Sequence, residues 1–171
     1  LAQLIVDETD RVRRLVDRME AFSDDAVPTL SPINIHQVLD RVRALAANGV
    51  ADGLDLKESY DPSLPEVLGD EDQLIQVFLN LVKNAAEAAH ARGDGRGEVQ
   101  VHTAYRHGVK VRSAKGQALR GAPIEVRIQD NGPGIPEHIR ESLFQPFVTS
   151  KANGAGLGLA LVAKLVAGHG G

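Results

Sequence analysis

DNGPGIPEHIRESLFQPFVTSKANGAGLGL, residues 130–159, brings together two glycine clusters, two phenylalanines and an aspartate that ends an alternating stretch. Glycine inside regular structure costs roughly 0.5–1 kcal/mol relative to alanine, so clusters belong where a backbone turns tightly or approaches a ligand. Upstream, APIEVRIQD (122–130) alternates as a strand and delivers Asp130 to its end, directly before Gly132 and Gly134. A carboxylate there can accept a hydrogen bond from an exocyclic amine and repels a carbonyl oxygen, which would select adenine over guanine. An ordinary Asp-Gly turn of type I or II accounts for the same residues, so this motif alone leaves both readings open. Gly154, Gly156 and Gly158 precede a helix expected to start near Gly156 or Leu157 and to run through Leu161, Val162, Leu165 and Val166 to Gly168. Unpaired amides at a helix N-terminus, helped by the dipole, bind phosphate. The pattern is not the dinucleotide fingerprint, because Leu159 breaks it and no strand immediately precedes it, and no P-loop ending in Gly-Lys-Ser/Thr occurs in the chain.

Between the clusters, Pro136 suits the first turn of a short helix over about 136–143. Leu143, Phe144 and Phe147 are expected to anchor the base of a loop, residues 148–155, with the composition of a mobile lid. Thr149, Ser150 and Lys151 are its candidate phosphate contacts.

The longest helix is expected from Asp70 to about Ala91, in DEDQLIQVFLNLVKNAAEAAHA. Leu74, Val77, Phe78, Leu81, Val82, Ala85 and Ala89 make its buried face, while Asn80, Asn84, Glu87 and Ala88 share another. Asparagine is a poor helix former, so two within so apolar a helix either satisfy nearby backbone groups or serve a ligand. The amide oxygen of Asn84 is a hard neutral donor suited to Mg²⁺, with phosphates and waters completing the octahedron. Asn80, one turn earlier, can position water or phosphate. Lys83 is read as solvated.

Earlier in the chain, Asn34 caps a helix with Ile35, Val38, Leu39, Val42 and Leu45 at helical spacing to about Ala47, and LDLKESY (54–60) reads as a strand before the turn at DPSLP. EVQVHTAYR (98–106) is a further strand, and the polar stretch between it and residue 122 makes a long excursion. His36, His102 and His107 are read as surface residues. Residues 1–23 read as one helix, with Ile5, Val12 and Met19 at one heptad position and Leu1, Glu8, Leu15 and Phe22 at the other. Leu4 and Val16 widen its stripe toward a four-helix bundle, which implies a dimer. SDDAVPTLSP (23–32) is the linker, so the expected domains are 1–25 and 26–171.

Net charge is -4, with no basic block, against a nucleic-acid binder. Cysteine is absent, which excludes disulfides and thiolate chemistry and suits a cytoplasmic location. No apolar run approaches the roughly 18 residues of a membrane span. A start without methionine inside a helical pattern, and an end at AGHGG, are expected of a piece of a longer protein.

NLVKNAAEA (80–88), DNGPGIP (130–136), LFQPF (143–147) and GAGLGLALV (154–162) resemble, in order, the N, G1, F and G2 boxes of the ATP-binding domain of sensor histidine kinases. The resemblance implies the Bergerat fold, an α/β two-layer sandwich of a mixed sheet and helices. It implies ATP and Mg²⁺ as cofactors, with Asn80 as the catalytic-site asparagine and Asn84 as metal ligand. Asp130 would bind adenine, and Gly156, Leu157, Gly158 and Leu159 would cradle phosphates. Ala88, Gly132, Gly134, Ile135, Phe147, Thr149, Ser150, Lys151 and Gly154 would complete the ATP site. RMEAFSD (18–24), PINIHQVLDRV (32–42) and PFVTSKANGAGLGLALV (146–162) further resemble nitrogen-regulation kinases of the NtrB type. That implies a homodimer through the first helix, an NtrC-type response regulator and a PII signal protein as partners. The family's phosphoacceptor histidine sits in an H box, and none of His36, His90, His102, His107, His138 and His169 has that setting, so the acceptor is expected outside this chain. The family's last strand is also expected to be missing. An ATPase clamp of the gyrase and Hsp90 type, and a nucleotide-gated docking module, are the alternatives; the first expects a glutamate where Asn80 stands.

Overall fold

The computed structural model describes residues 28–47, 49–106, 111–112, 118–119, 124–149 and 154–171. The expected helix over 1–23, His107, Ser150 and Lys151 lie outside the described residues. In chain order the elements are β1 (Ser31–Ile33), α1 (Ile35–Ala47), β2 (Asp55–Ser59), β3 (Val67–Gly69), α2 (Glu71–His90), β4 (Glu98–Tyr105), β5 (Val111–Arg112), β6 (Ala118–Leu119), β7 (Ile124–Asp130), α3 (Glu137–Arg140) and α4 (Gly158–Gly168).

α1 begins where Asn34 turns the chain, its Oδ1 accepting the backbone N–H of His36 at 2.9 Å. α2 begins at Asp70, whose Oδ1 accepts the Gln73 N–H at 3.1 Å, with Glu71 and Asp72 in the first turn where the helix dipole favours acid. Both helices cover one face of a mixed sheet of order β2-β4-β7, β2 parallel and β7 antiparallel to β4. A parallel neighbour requires a long crossover, and the segment holding α2 supplies it between β2 and β4. The alternation of β4 and β7 turns Val99, Val101, Val126 and Ile128 toward the helices. There they meet Val38 and Val42 of α1 and Val77, Phe78, Val82 and Ala86 of α2. Burying one such aliphatic side chain stabilises the fold by about 1.5–3 kcal/mol. The result is the expected two-layer α/β sandwich.

Thr103 is the one buried polar residue among the described residues, 1% exposed. Its Oγ1 accepts the Asp61 N–H at 2.9 Å and meets His36 Nε2 at 3.0 Å. His36 also stacks on Tyr60, rings 4.9 Å apart, and the Tyr60 hydroxyl is pushed up to about 12, first by burial and then by Glu58. His36 is therefore a half-buried structural residue and not a plain surface one, and His102 is half-buried too.

Other differences from the sequence reading have local causes. The 23–32 linker ends in β1, which pairs with β3 in a small antiparallel sheet that neither short segment announces. Pro32 fits because this strand is an edge. On α2, Ala86 is buried and Leu81 only half so. α3 covers only 137–140, with Pro136 as its N-cap. The excursion between β4 and β7 carries the short β5-β6 pair.

Candidate nucleotide site

Three segments meet on the Asn80–Ala88 side of α2. The first is the turn after β7. Asp130 Oδ1 accepts the Gly132 N–H at 2.9 Å, an Asx turn, so the turn reading holds for one carboxylate oxygen. A carboxylate has a second acceptor oxygen, and that one is what an adenine amine would need. Gly132 lies so close to α2 that a Cβ there would stand 2.5 Å from the Ala88 carbonyl oxygen. Gly134 has φ +84 with open space around it, so its requirement is conformational and not one of close approach.

Asn131 holds this turn from the other side. Its Oδ1 accepts the Glu98 N–H at 2.9 Å and its Nδ2 donates to the Arg96 carbonyl at 2.9 Å, tying the end of β7 to the start of β4. Arg92 donates to the Asn131 carbonyl at 2.9 Å while pairing with Asp94, which holds the Asp94 carboxyl below the usual carboxylate range. No role was assigned to Asn131 from sequence; the only signal was its place between Asp130 and Gly132.

The second segment is the start of α4. Its first turn has no side-chain cap, and a Cβ on Gly158 would lie 3.2 Å from Asn80 Oδ1. Asn80 Nδ2 donates to the Gln76 carbonyl one turn earlier at 2.9 Å. The nitrogen of this amide thus serves the backbone, while its oxygen faces the beginning of α4. Asn84 and Ala88 follow on the same face, both half-buried. Lys83 approaches Glu87 at 4.0 Å on the surface, a pair of small energetic weight that agrees with its solvated reading.

The third is the neck of the loop between the glycine clusters. Phe147 donates its N–H to the Gly156 carbonyl at 2.9 Å. Both residues are left-handed, φ +67 each, and a Cβ on Gly156 would stand 2.5 Å from the Phe147 carbonyl carbon. A non-glycine residue held there costs on the order of 1–3 kcal/mol, so the crossing is imposed by its surroundings. Phe144 and Phe147 are 57% and 67% exposed, and so correct the expectation that they anchor the loop by burial. Backbone pairing across the neck does that instead. Ile135 is also largely exposed, Thr149 is exposed, Gly154 and Leu159 are half-buried, and Leu157 is buried.

The residues fit a magnesium nucleotide in three respects. The chain packs closely at both glycine turns, a Cβ on Gly132 standing 2.5 Å from the Ala88 carbonyl oxygen and one on Gly158 3.2 Å from Asn80 Oδ1. The amides of the first turn of α4 have no side-chain acceptor from a cap. Among the described residues no group of three histidine, cysteine or acidic side chains can hold a metal, so a cation here would rely on the Asn84 oxygen, phosphate and water. A cavity of about 20 Å³ between α1 and β2, lined by Leu39, Val42, Leu56, Tyr60 and others, is too small for a nucleotide and lies apart from these segments.

Comparison with known proteins identifies the family. Residues 69–171 match the family model described as histidine kinase-, DNA gyrase B-, and HSP90-like ATPase. The sensory histidine kinase/phosphatase NtrB of Rhizobium leguminosarum bv. phaseoli is 54% identical over 171 residues, all of this chain and 44% of that protein. The chain thus spans less than half the length of this relative. Among solved structures, full-length ShkA in complex with AMPPNP superposes with a TM-score of 0.73 at 27% identity, covering 95% of this chain and 32% of ShkA. The mycobacterial sensor histidine kinase MprB superposes with a TM-score of 0.64 at 28% identity, covering 83% of this chain and 81% of that one. No helix among the described residues is long and apolar enough to cross a membrane. Because that family model matches residues 69–171, more than half of the chain, the chain belongs to the histidine kinase-, DNA gyrase B- and HSP90-like ATPase family.

Proposed function

We propose that this chain is the ATP-binding catalytic part of an NtrB-type sensory histidine kinase, acting on a histidine outside it for onward transfer to an NtrC-type response regulator. The observation that carries the reading is the close approach of Asn80 Oδ1 to the glycine start of α4, where a Cβ on Gly158 would stand 3.2 Å from it, together with the Gly132 turn seated on Ala88. In this reading Asp130 takes the adenine amine, and the amides of Gly156, Leu157, Gly158 and Leu159 take phosphate oxygens. Thr149, Ser150, Lys151 and Gly154 would contribute further contacts to the nucleotide, together with Phe147. The Asn84 oxygen ligates Mg²⁺, which neutralises phosphate charge when bound. Phosphoryl transfer depends on positioning and charge neutralisation and needs no strong base here, which suits an amide at Asn80. A hydrolase would need a group to activate water, and Asn80 cannot remove a proton. Residues 1–25 would supply the dimer contact. A PII protein is the proposed regulator; the relative's name, sensory histidine kinase/phosphatase, supplies only the two activities whose balance it would set.

Calorimetry with Mg·ADP tests the site. Asp130→Ala is expected to weaken binding at least about tenfold, the scale of a hydrogen bond to a charged group. Asn84→Ala is expected to remove most of the Mg²⁺ dependence. Unchanged affinity in the first or unchanged Mg²⁺ dependence in the second overturns the corresponding assignment.

A further inference from the structure

We infer that His169 is a positioning residue for the nucleotide site, fixing the start of α4 against Asn80 by latching the far end of α4 to the cap of α2. The backbone N–H of Asp70 points at His169 Nε2, 3.0 Å away. An amide N–H only donates, so Nε2 accepts, which places the ring proton on Nδ1. Nδ1 donates in turn to the Leu165 carbonyl at 2.7 Å, one turn back in α4. The imidazole therefore bridges two helices through both nitrogens.

The bridge matters because of where the other end of α4 lies. α4 runs antiparallel to α2, with Gly158 beside Asn80 at one end and His169 beside Asp70 at the other. Ten residues of α2 separate its two contact points and eleven of α4 separate its own, about 15 Å and about 16.5 Å at the helical rise. Spans so nearly matched make a ladder with two rungs. The rung at Asn80 is a close approach without a cap, since no side chain closes the first turn of α4. The rung at His169 is the one with directional bonds. Gly69 adds a steric limit, since a Cβ there would stand 3.4 Å from the His169 ring and 2.7 Å from Leu74. Asp70 thus works on both sides: its carboxylate accepts the Gln73 and Thr29 N–H groups, and its own N–H donates to His169 Nε2. Sliding α4 along α2 breaks the His169 bond and moves the phosphate-facing amides together.

The inference rests on the nucleotide reading for its affinity consequence and on geometry alone for its structural one, so two measurements separate them. Three variants of the 171-residue chain are compared: His169→Ala, His169→Asn and His169→Gln. Asn places its amide near Nδ1 and keeps only the bond within α4; Gln reaches the Nε2 position and restores an acceptor for Asp70. Hydrogen exchange at the Leu161 amide, which closes the first turn on the Leu157 carbonyl at 2.9 Å, reports the start of α4. His169→Ala and His169→Asn are expected to speed it about tenfold relative to amides in the middle of α2, and His169→Gln to stay within about twofold of the parent. Affinity for Mg·ADP, measured below the unfolding transition, is expected to fall about fivefold to tenfold in the Ala and Asn variants and to recover with Gln. Equal exchange at Leu161 in all four chains overturns the latch, whether or not nucleotide binds. Altered exchange with unaltered affinity overturns the link to the site. A parent chain that does not bind Mg·ADP overturns that link together with the nucleotide reading, while the exchange result still decides the latch.

Discussion

Gly132 and Gly134 are two residues apart in one turn, yet a methyl group would do different damage at each. At Gly132 the added carbon meets backbone, the Ala88 carbonyl at 2.5 Å, and a helix in the core cannot move aside cheaply. Gly132→Ala is expected to destabilise the fold by about 1–3 kcal/mol, as overpacking does, and to weaken Mg·ADP binding by displacing the turn. At Gly134 nothing lies within 4 Å, and only φ +84 resists a side chain, a cost of roughly 1–2 kcal/mol without displacement of α2. Urea unfolding and Mg·ADP calorimetry on both variants check this; a Gly134→Ala chain that loses more affinity than Gly132→Ala would mean the turn is not seated on α2. Thr103 offers a second residue test. Thr103→Val keeps the volume but removes the acceptor for the Asp61 amide and the partner of His36. A loss of about 1–3 kcal/mol is expected in the same unfolding assay, the cost of leaving buried polar groups unmatched. A loss near zero would place water at the Asp61 amide.

α2 is the element to which every part of the site is referred, and its start is set by Asp70. The Asp70 carboxyl is held below the usual carboxylate range, first by the Gln73 N–H and next by that of Thr29. A carboxyl with a depressed folded-state pKa contributes stability that is complete above its unfolded value, about 3.9, and lost as pH falls through the folded one. Asp70→Ala is therefore expected to cost about 1 kcal/mol at neutral pH, a typical N-cap loss, and progressively less as pH drops below about 4. Urea midpoints across that acid limb measure it, and a deficit that stays constant with pH would show that the charge on the cap is irrelevant. α2 was also the most legible element: its cap, length and apolar stripe are all written in residues 70–91, because local rules decide a long amphipathic helix. β1 and β3 were not legible, since three residues each carry no periodicity and exist only through their mutual pairing. The site divides in the same way. Glycines at 132, 134, 156 and 158 announced themselves by composition, whereas Asn131 and His169 work through partners 33 and 99 residues away in sequence. The exposure of Phe144 and Phe147 misled for a related reason, since an aromatic in a loop reads as an anchor unless the backbone pairing beside it is known.

At the scale of the molecule, the helix that lines the nucleotide site is also the middle of the core. Val77, Val82 and Ala86 of α2 are buried against α1 and the sheet, while Asn80 and Ala88 of the same helix meet the glycine segments. A site built on one face of such a helix is lost when the core unfolds, so ligand binding should stabilise the whole fold and not only the loops. Linkage sets the size: Mg·ADP at one hundred times its dissociation constant is expected to add about 2.7 kcal/mol to unfolding. For a chain of this length that corresponds to a rise of roughly 5–10 °C in the melting temperature. The discriminating measurement is hydrogen exchange in the presence and absence of Mg·ADP. Amides of α2 between Val77 and Val82 that exchange by global unfolding should slow by the factor the melting shift implies, about a hundredfold. If slowing is confined to the turn at 130–136 and the start of α4, the ligand stabilises only its own loops, and the coupling of site to core through α2 is wrong. Equal slowing in α2 and in the middle of β4, where Val101 and Thr103 stand opposite Ile128 and Val126 and no proposed ligand contact, is the outcome this architecture requires.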